Sequence, residues 1–168
     1  QGEDWVPGVK DLDLRVVEMD GWERAMLWSD TGLHWIAPSP NLPSFESALI
    51  YPGTCFFEAT TASEGRGTPA PFLTVGAPWL DADALAADLR KWGTPGLRIE
   101  AGNVTPVSIP GAATNPKWKD TELGSLHITI TDPDSVDAVA TGLDLVGRMY
   151  RMAPDSVKDA FFRERWMA

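Results

Sequence analysis

Apolar residues recur at helical spacing in several parts of the chain. Asp81 is a typical N-cap, and Leu85, Leu89 and Trp92 then form one stripe, which predicts a helix over 82–92. Shorter helices are predicted over 43–50, with an apolar face made by Phe45, Ala48 and Leu49, and from Asp155 to about Trp166.

The longest predicted helix begins at Asp134 or Ser135 and continues to about Arg151. Its apolar positions keep a period of about 3.6 residues. They are Val136, Val139, Ala140, Leu143, Val146 and Tyr150.

Four segments have the composition of β-strands: 14–19, 54–59, 97–101 and 125–131. The last alternates cleanly, because Leu126, Ile128 and Ile130 lie on one face while His127 and Thr129 lie on the other. Strands and helices do not alternate strictly, and the strands are too few for a doubly wound sheet. The pattern therefore predicts an α+β fold in which helices flank a small, curved or barrel-like mixed sheet.

Composition and charge exclude several functional classes. The 168 residues carry a net charge of -10, which would repel a phosphate backbone, so nucleic acid is not an expected partner. No apolar run approaches the roughly 20 residues that span a bilayer, so no membrane span is expected. Cys55 is the only cysteine and is predicted to be a small core residue. His34 and His127 are isolated from second ligands, so neither a metal site nor a cofactor is predicted.

Four motifs between Trp35 and Asp81 are more specific than generic folding requires. They are a proline-rich loop at 35–43, Tyr-Pro-Gly-Thr at 51–54, Ser-Glu-Gly-Arg-Gly-Thr at 63–68 and Gly-Ala-Pro-Trp at 76–79. Their order and spacing resemble the family of NamZ-type exo-β-N-acetylmuramidases, formerly a domain of unknown function. Weaker similarity covers most of the remaining chain.

The resemblance implies a hydrolase that releases N-acetylmuramic acid from the non-reducing ends of peptidoglycan fragments in cell-wall recycling. It also implies that residues 1–12 are a linker from a missing Rossmann-like N-terminal domain and that residues 13–168 form the C-terminal domain. The active cleft would lie between the two, so the chain alone would be an incomplete enzyme that forms one wall of the cleft. A periplasmic or secreted location is favoured over a cytoplasmic one.

Two positions depart from the family pattern. Thr61 stands where the family favours asparagine ahead of the Ser63–Thr68 motif. His127 and Thr129 occupy the strand that carries glutamine and histidine in relatives. These departures bear on the hydrogen bonds of the loop and on the ligand contacts of the strand.

Glu64 is the candidate catalytic carboxylate, since glycosidases generally use two carboxyl groups and Gly65 and Gly67 allow a ligand to approach the loop. Alternatively, Glu64 only pins the loop through backbone amides. Arg66 suits the carboxylate of the muramic lactyl ether, or else pairs with Glu64 or Glu58 inside the protein.

The other candidate substrate-binding residues are polar or aromatic side chains on the motifs and on one strand. Most of the eight tryptophans are expected in the core, and His127 is alternatively a solvated surface residue. The candidates are Ser63, Thr68, Tyr51, Trp79, Trp35 and His127.

Two other functional hypotheses remain open at this stage. One is a non-catalytic carbohydrate-binding or cell-wall-binding module, which would keep the loop and the aromatic platform without turnover. The other is an excised piece that self-associates through an uncovered apolar interface. The hydrolase differs from the binding module in needing two carboxylates near one cleft.

Overall fold

A computed structural model describes residues 13–162, which divide into two compact units between His34 and Trp35. The predicted linker over 1–12 and the part of the predicted last helix beyond Phe162 lie outside the described residues; within them, that helix ends at Lys158, earlier than predicted. None of the described helices is both long and apolar enough to cross a membrane.

Within residues 13–34, the described part of the first unit, the one regular element is a short 3-10 helix, Trp28–Thr31, and the predicted strand over 14–19 is wrong. Val16 and Val17 are 74% and 92% exposed. A strand needs a neighbour to satisfy its amide and carbonyl groups, and residues 14–19 pair with no strand among the described residues.

The second unit is an α+β fold, as predicted, with an open antiparallel sheet in the order β1-β3-β2. In chain order its elements are α1 (Phe45–Thr54), β1 (Thr74–Ala77), α2 (Ala82–Trp92), β2 (Leu97–Val104), β3 (Leu123–Ile130), α3 (Ala138–Met152) and α4 (Asp155–Lys158). Short 3-10 helices occupy Cys55–Ala59 and Pro133–Ser135.

The α2 helix has the predicted bounds, and the Asp81 side chain caps it by accepting a hydrogen bond from the amide of Ala84 at 2.9 Å. Leu85 and Leu89 are buried. Trp92 is 75% exposed, so its predicted place on the buried stripe is wrong. Its ring lies beside the guanidinium of Arg148, 5.9 Å from the centroid, at the end of the helix.

The β3 strand is the central strand of the sheet, and its alternation is confirmed. Leu126 and Ile128 are buried in the core, and His127 lies on the opposite face. β2 continues three residues beyond its predicted end, because its pairing with β3 extends to Val104 opposite Leu123.

The α1 helix does not end at Ile50, as the sequence predicted, but continues through Pro52 to Thr54. Thr54 is completely buried, and the backbone of Gly53 packs on α3. This packing outweighs the hydrogen bond that proline cannot donate in the last turn. The predicted strand over 54–59 is also wrong, because Cys55–Ala59 continues as a 3-10 helix that buries Phe57.

The α3 helix begins later than predicted, with Asp137 as its cap, and a different face is buried. Val139, Leu143 and Tyr150 are exposed, while the buried residues are Gly142, Leu145, Val146 and Met149. The reason is the crossing with α1, where a Cβ atom on Gly142 would lie 2.2 Å from the carbonyl oxygen of Gly53. Only glycine permits that approach, so it determines which face of α3 turns inward.

Candidate functional site

The Ser63–Thr68 motif is a tight loop attached to the edge of the sheet. Ser63 and Gly76 exchange two backbone hydrogen bonds, of 2.7 and 3.0 Å, which anchor the loop to β1. The Ser63 hydroxyl accepts from the Gly65 amide at 3.1 Å, and the Thr68 hydroxyl donates to the Gly65 carbonyl at 2.6 Å. Both hydroxyls therefore stabilise the loop, and their predicted contacts with substrate stay predictions.

Two glycines allow the loop to close this tightly. Gly65 and Gly67 have φ values of 81° and 80°, in the left-handed region. A Cβ atom on Gly65 would lie 2.4 Å from the Thr74 carbonyl oxygen, and one on Gly67 would lie 2.6 Å from that of Val107. The glycines thus serve close backbone packing within the protein.

Glu64 lies in a partly buried group of alternating charges, Glu58, Glu64, Arg66 and Lys117, here called the charge cluster. Arg66 pairs with Glu58 at 2.6 Å through Nη2 and with Glu64 at 3.3 Å through Nε. Oε2 of Glu64 lies 2.9 Å from Nζ of Lys117, as an ion pair without hydrogen-bond geometry. The Glu64 side chain is only 5% exposed. The intraprotein pairing considered for Arg66 is therefore present, with both carboxylates.

Lys117 is a member of this site that the sequence did not reveal. Besides meeting Glu64, its ammonium donates to the carbonyl oxygens of Phe57 at 2.7 Å and Ala62 at 2.9 Å. It therefore ties the 3-10 helix to the start of the motif loop. The only available signal was indirect, since two acidic side chains near one motif require more positive charge than Arg66 provides.

Two aromatic rings border the cluster on the side of Arg66. The Arg66 guanidinium carbon lies 5.2 Å from the ring centroid of Phe72, and Tyr51 packs edge-on against the same ring at 4.8 Å. Burial, and secondarily the charge of Glu58, raises the pKa of the Tyr51 phenol above its ordinary value of 10.0, while Arg66 lowers it. Tyr51 thus lies on the Arg66 side of the charge cluster, and its contact with substrate stays a prediction.

We expect Tyr51 to titrate above pH 10, the ordinary value of the phenol. The difference in phenolate absorbance between the protein and its Tyr51→Phe variant isolates this titration. Because the folded-state pKa is raised, the associated stability is present below the unfolded-state pKa and is lost as pH rises through the folded-state value. In Glu58→Gln the midpoint should fall but stay above the ordinary value, since burial is the larger cause. A midpoint at or below the ordinary value would contradict this environment.

A third aromatic residue, Trp118, lies next to Lys117 in a strained conformation. Its φ is 56°, a region that bulky residues rarely adopt. The indole Nε1 donates to the Thr61 carbonyl at 2.7 Å, and the residue is 39% exposed. Thr60, Thr61, Lys117 and Trp118 line a shallow, open cavity of about 310 Å³. This cavity could not be predicted from the sequence, because its two walls, Thr60–Thr61 and Lys117–Trp118, are far apart in the chain.

The three remaining candidates, Trp79, Trp35 and His127, contact other residues of the protein. Trp79 is half-buried against Phe161, and Trp35 packs edge-on against Phe45, each with ring centroids 6.0 Å apart. His127 lies between the hydroxyl oxygens of Thr74 and Ser125, at 3.3 and 3.4 Å. Their roles in substrate binding stay predictions. Within residues 13–162, no three His, Cys, Asp or Glu side chains group as metal ligands would.

Known proteins resemble this chain over almost its whole length. The family model for the C-terminal domain of exo-β-N-acetylmuramidase NamZ matches residues 49–167, and the model for its N-terminal domain matches residues 1–46. The peptidoglycan β-N-acetylmuramidase NamZ of Bacillus subtilis (strain 168) is 37% identical over 145 residues. That match covers 86% of this chain and 33% of the relative, so the chain spans about a third of its length.

Two crystal structures of DUF1343 family proteins from Bacteroides fragilis NCTC 9343 are also similar. One has a TM-score of 0.82 at 28% identity and covers 98% of this chain and 41% of the other. The second has a TM-score of 0.52 at 32% identity, covering 76% and 31%. The motif loop, the glycines that shape it and the charge cluster all lie within residues 49–167. The chain therefore belongs to the family of the exo-β-N-acetylmuramidase NamZ.

Proposed function

We propose that this chain is part of a glycoside hydrolase that releases N-acetylmuramic acid from the non-reducing ends of peptidoglycan fragments. It supplies one wall of the substrate cleft, and a family N-terminal domain supplies the other. The observation that carries the proposal is the charge cluster, in which a carboxylate is held between two cations inside the region that matches the family. A peptidoglycan-directed activity also agrees with the name of the Bacillus relative.

Arg66 is the residue that recognises the muramic lactyl group in this proposal. Its side chain is 33% exposed, although its guanidinium contacts Glu58 and Glu64. The planar fork of arginine binds carboxylates in a bidentate manner that lysine does not reproduce. The lactyl carboxylate is the group that distinguishes muramic acid from glucosamine, so this contact provides specificity.

Glu64 is the catalytic carboxylate in the same proposal, and its burial assigns a second task to Arg66. With Arg66 at Oε1 and Lys117 at Oε2, neither oxygen is open to a sugar. A lactyl carboxylate that draws Arg66 toward itself uncovers Oε1. Substrate binding and exposure of Glu64 are then one event, which restricts the chemistry to sugars that carry the lactyl group. The second carboxyl group of the mechanism comes from the N-terminal domain.

A non-catalytic carbohydrate-binding module is the second candidate, and one observation favours it. Glu58 and Glu64 are the two carboxylates of the charge cluster, and both are paired with cations. Hydrolysis requires one carboxyl group to exchange a proton and a second to act as base or nucleophile. Neither carboxylate of the cluster is unpaired, so by itself the described part of the chain offers a surface for recognition and no carboxyl group ready for hydrolysis.

Release of N-acetylmuramic acid from a chromogenic muramic glycoside separates these functions. We expect no turnover by this chain alone and turnover when the N-terminal half of a NamZ relative is added. Glu64→Gln should reduce the restored rate by about a thousand-fold if Glu64 acts on the sugar, the scale of losing a catalytic group. Glu100→Gln, a change in an exposed surface pair, is the matched control.

The three other outcomes have distinct meanings. Turnover by the chain alone, abolished in Glu64→Gln, would place all the essential carboxylates in this chain. Sugar binding without turnover, both by the chain alone and after addition of the N-terminal half, would favour the binding module. Restored turnover that is equal in Glu64→Gln and Glu100→Gln would contradict the catalytic role of Glu64 and leave it a structural one.

A further inference from the structure

We propose that the cavity beside Lys117 binds one N-acetylhexosamine ring, with the indole of Trp118 as its stacking platform. This inference rests on the proposed function, because it gives the peptidoglycan fragment a binding subsite next to the charge cluster. Lys117 connects the two, since its ammonium meets Glu64 and its side chain lines the cavity. The cavity of about 310 Å³ is at the small end of ligand sites, which suits a single sugar ring.

The backbone of Trp118 is the first argument. A tryptophan at φ 56° is strained, and such strain persists only where surrounding contacts maintain it. Asp120, two residues later, has φ 60°, and its amide donates to the Pro106 carbonyl at 2.8 Å. The whole turn is therefore held in an unusual form, and it leaves a large aromatic side chain 39% exposed. Core packing does not explain that result.

The orientation of the ring is the second argument. The hydrogen bond from Nε1 to the Thr61 carbonyl, 2.7 Å long, satisfies the only polar atom of the indole. It also fixes the ring at the wall of the cavity before any ligand arrives. A pre-oriented aromatic side chain loses little conformational entropy on binding, which favours stacking against the C–H face of a sugar.

The hydroxyl group of Thr61 is buried without a hydrogen-bond partner among the described residues. Thr61 lines the cavity, and its Oγ1 is shielded from solvent. A buried polar atom of this kind calls for an explanation. A hydroxyl or acetamido group of a bound sugar would supply the missing hydrogen bond. An aromatic platform, a free hydroxyl and a nearby cation are together suited to an amino-sugar ring.

The test is a binding titration of the chain with two disaccharides, diacetylchitobiose and one that contains N-acetylmuramic acid, followed by the indole N–H resonances. We expect Trp118→Ala and Trp118→Gly to weaken binding about ten-fold, the scale of a lost aromatic contact. Glycine also removes the strain at φ 56°, so Trp118→Gly should unfold at a temperature equal to or higher than Trp118→Ala. Trp92→Ala, which changes a tryptophan 75% exposed on α2, should leave affinity within two-fold.

Thr61→Val keeps the inference testable if the Trp118 variants fold poorly. It preserves shape and removes only the unpartnered hydroxyl, so the unfolding temperature should not fall while affinity drops several-fold. Binding that is unchanged in Thr61→Val and in both Trp118 variants would overturn the inference and leave the proposed function intact. Equal binding of both disaccharides that depends on Trp118 would support the subsite and contradict muramic specificity. No binding of either sugar by the unsubstituted chain would overturn the inference, whereas the proposed function is decided by the turnover that the N-terminal half restores.

Discussion

Replacing Glu64 with glutamine is expected to lower the free energy of unfolding by about 3 kcal/mol, because it removes one partner of a buried ion pair and leaves the others uncompensated. The Glu64 side chain is 5% exposed and that of Lys117 is 16% exposed, so water screens this pair weakly. Urea unfolding measures the change. The size of the effect comes from desolvated charge left without its counter-charge, and not from the loss of one hydrogen bond.

Glu100→Gln is the matched control for this prediction. Glu100 pairs with Arg98 at 3.2 Å, but both side chains are 60% exposed, so the same substitution should cost less than about 1 kcal/mol. A double-mutant cycle gives a further check, because Lys117→Met should cost less in the Glu64→Gln background than alone. Equal losses in Glu64→Gln and Glu100→Gln would show that the cluster contributes nothing beyond a surface pair.

Alanine at Gly142 is expected to destabilise the fold by about 3 kcal/mol, the upper part of the range for overpacking. The added Cβ atom would lie 2.2 Å from the carbonyl oxygen of Gly53 and 2.5 Å from its Cα. These are backbone atoms of α1, so relief requires the two helices to separate. Thermal and urea unfolding of the variant measure the loss, and the affinity for sugar need not change in proportion.

The same substitution at Gly147, five positions along α3, should have the opposite sign. A Cβ atom there would meet only the end of the Arg151 side chain, at 3.5 Å. Alanine in the interior of a helix is more stable than glycine by about 0.5–1 kcal/mol. If both variants were stabilised, the close approach of α1 and α3 would not exist in solution. If both were destabilised, a cause other than this crossing would make α3 intolerant of an added Cβ atom.

Part of the fold could be predicted from the sequence because the interactions that form it are local. The bounds of α2 follow from the Asp81 cap, which reaches the amide of Ala84, and from apolar spacing within the same helix. The alternation of β3 is similarly complete within its eight residues. The motif around Glu64 was recognisable because its glycines and its order are distinctive, and it also contains Arg66, which pairs with Glu64.

The errors have one physical origin. The inward face of α3 depends on Gly53, which lies on another helix, and residues 14–19 have strand propensity without a partner strand among the described residues. Pro52 does not end α1, because packing of the following turn on α3 compensates for the hydrogen bond that proline cannot donate. In each case the outcome depended on a tertiary contact, present for α1 and α3 and missing for residues 14–19 among the described residues, and not on the local preference.

The sequence by itself determined the α+β class, the capped helix α2, the central strand and membership of the family, since each depends on residues a few positions apart or on a motif of fixed spacing. Only the tertiary structure brought Lys117 to Glu64 and placed Trp118 beside Thr61. Those pairs join segments far apart in the chain, and nothing in the local sequence encodes which distant cation neutralises a buried carboxylate. Burial and charge pairing are properties of the folded neighbourhood, so the chemistry of this site became visible only in three dimensions.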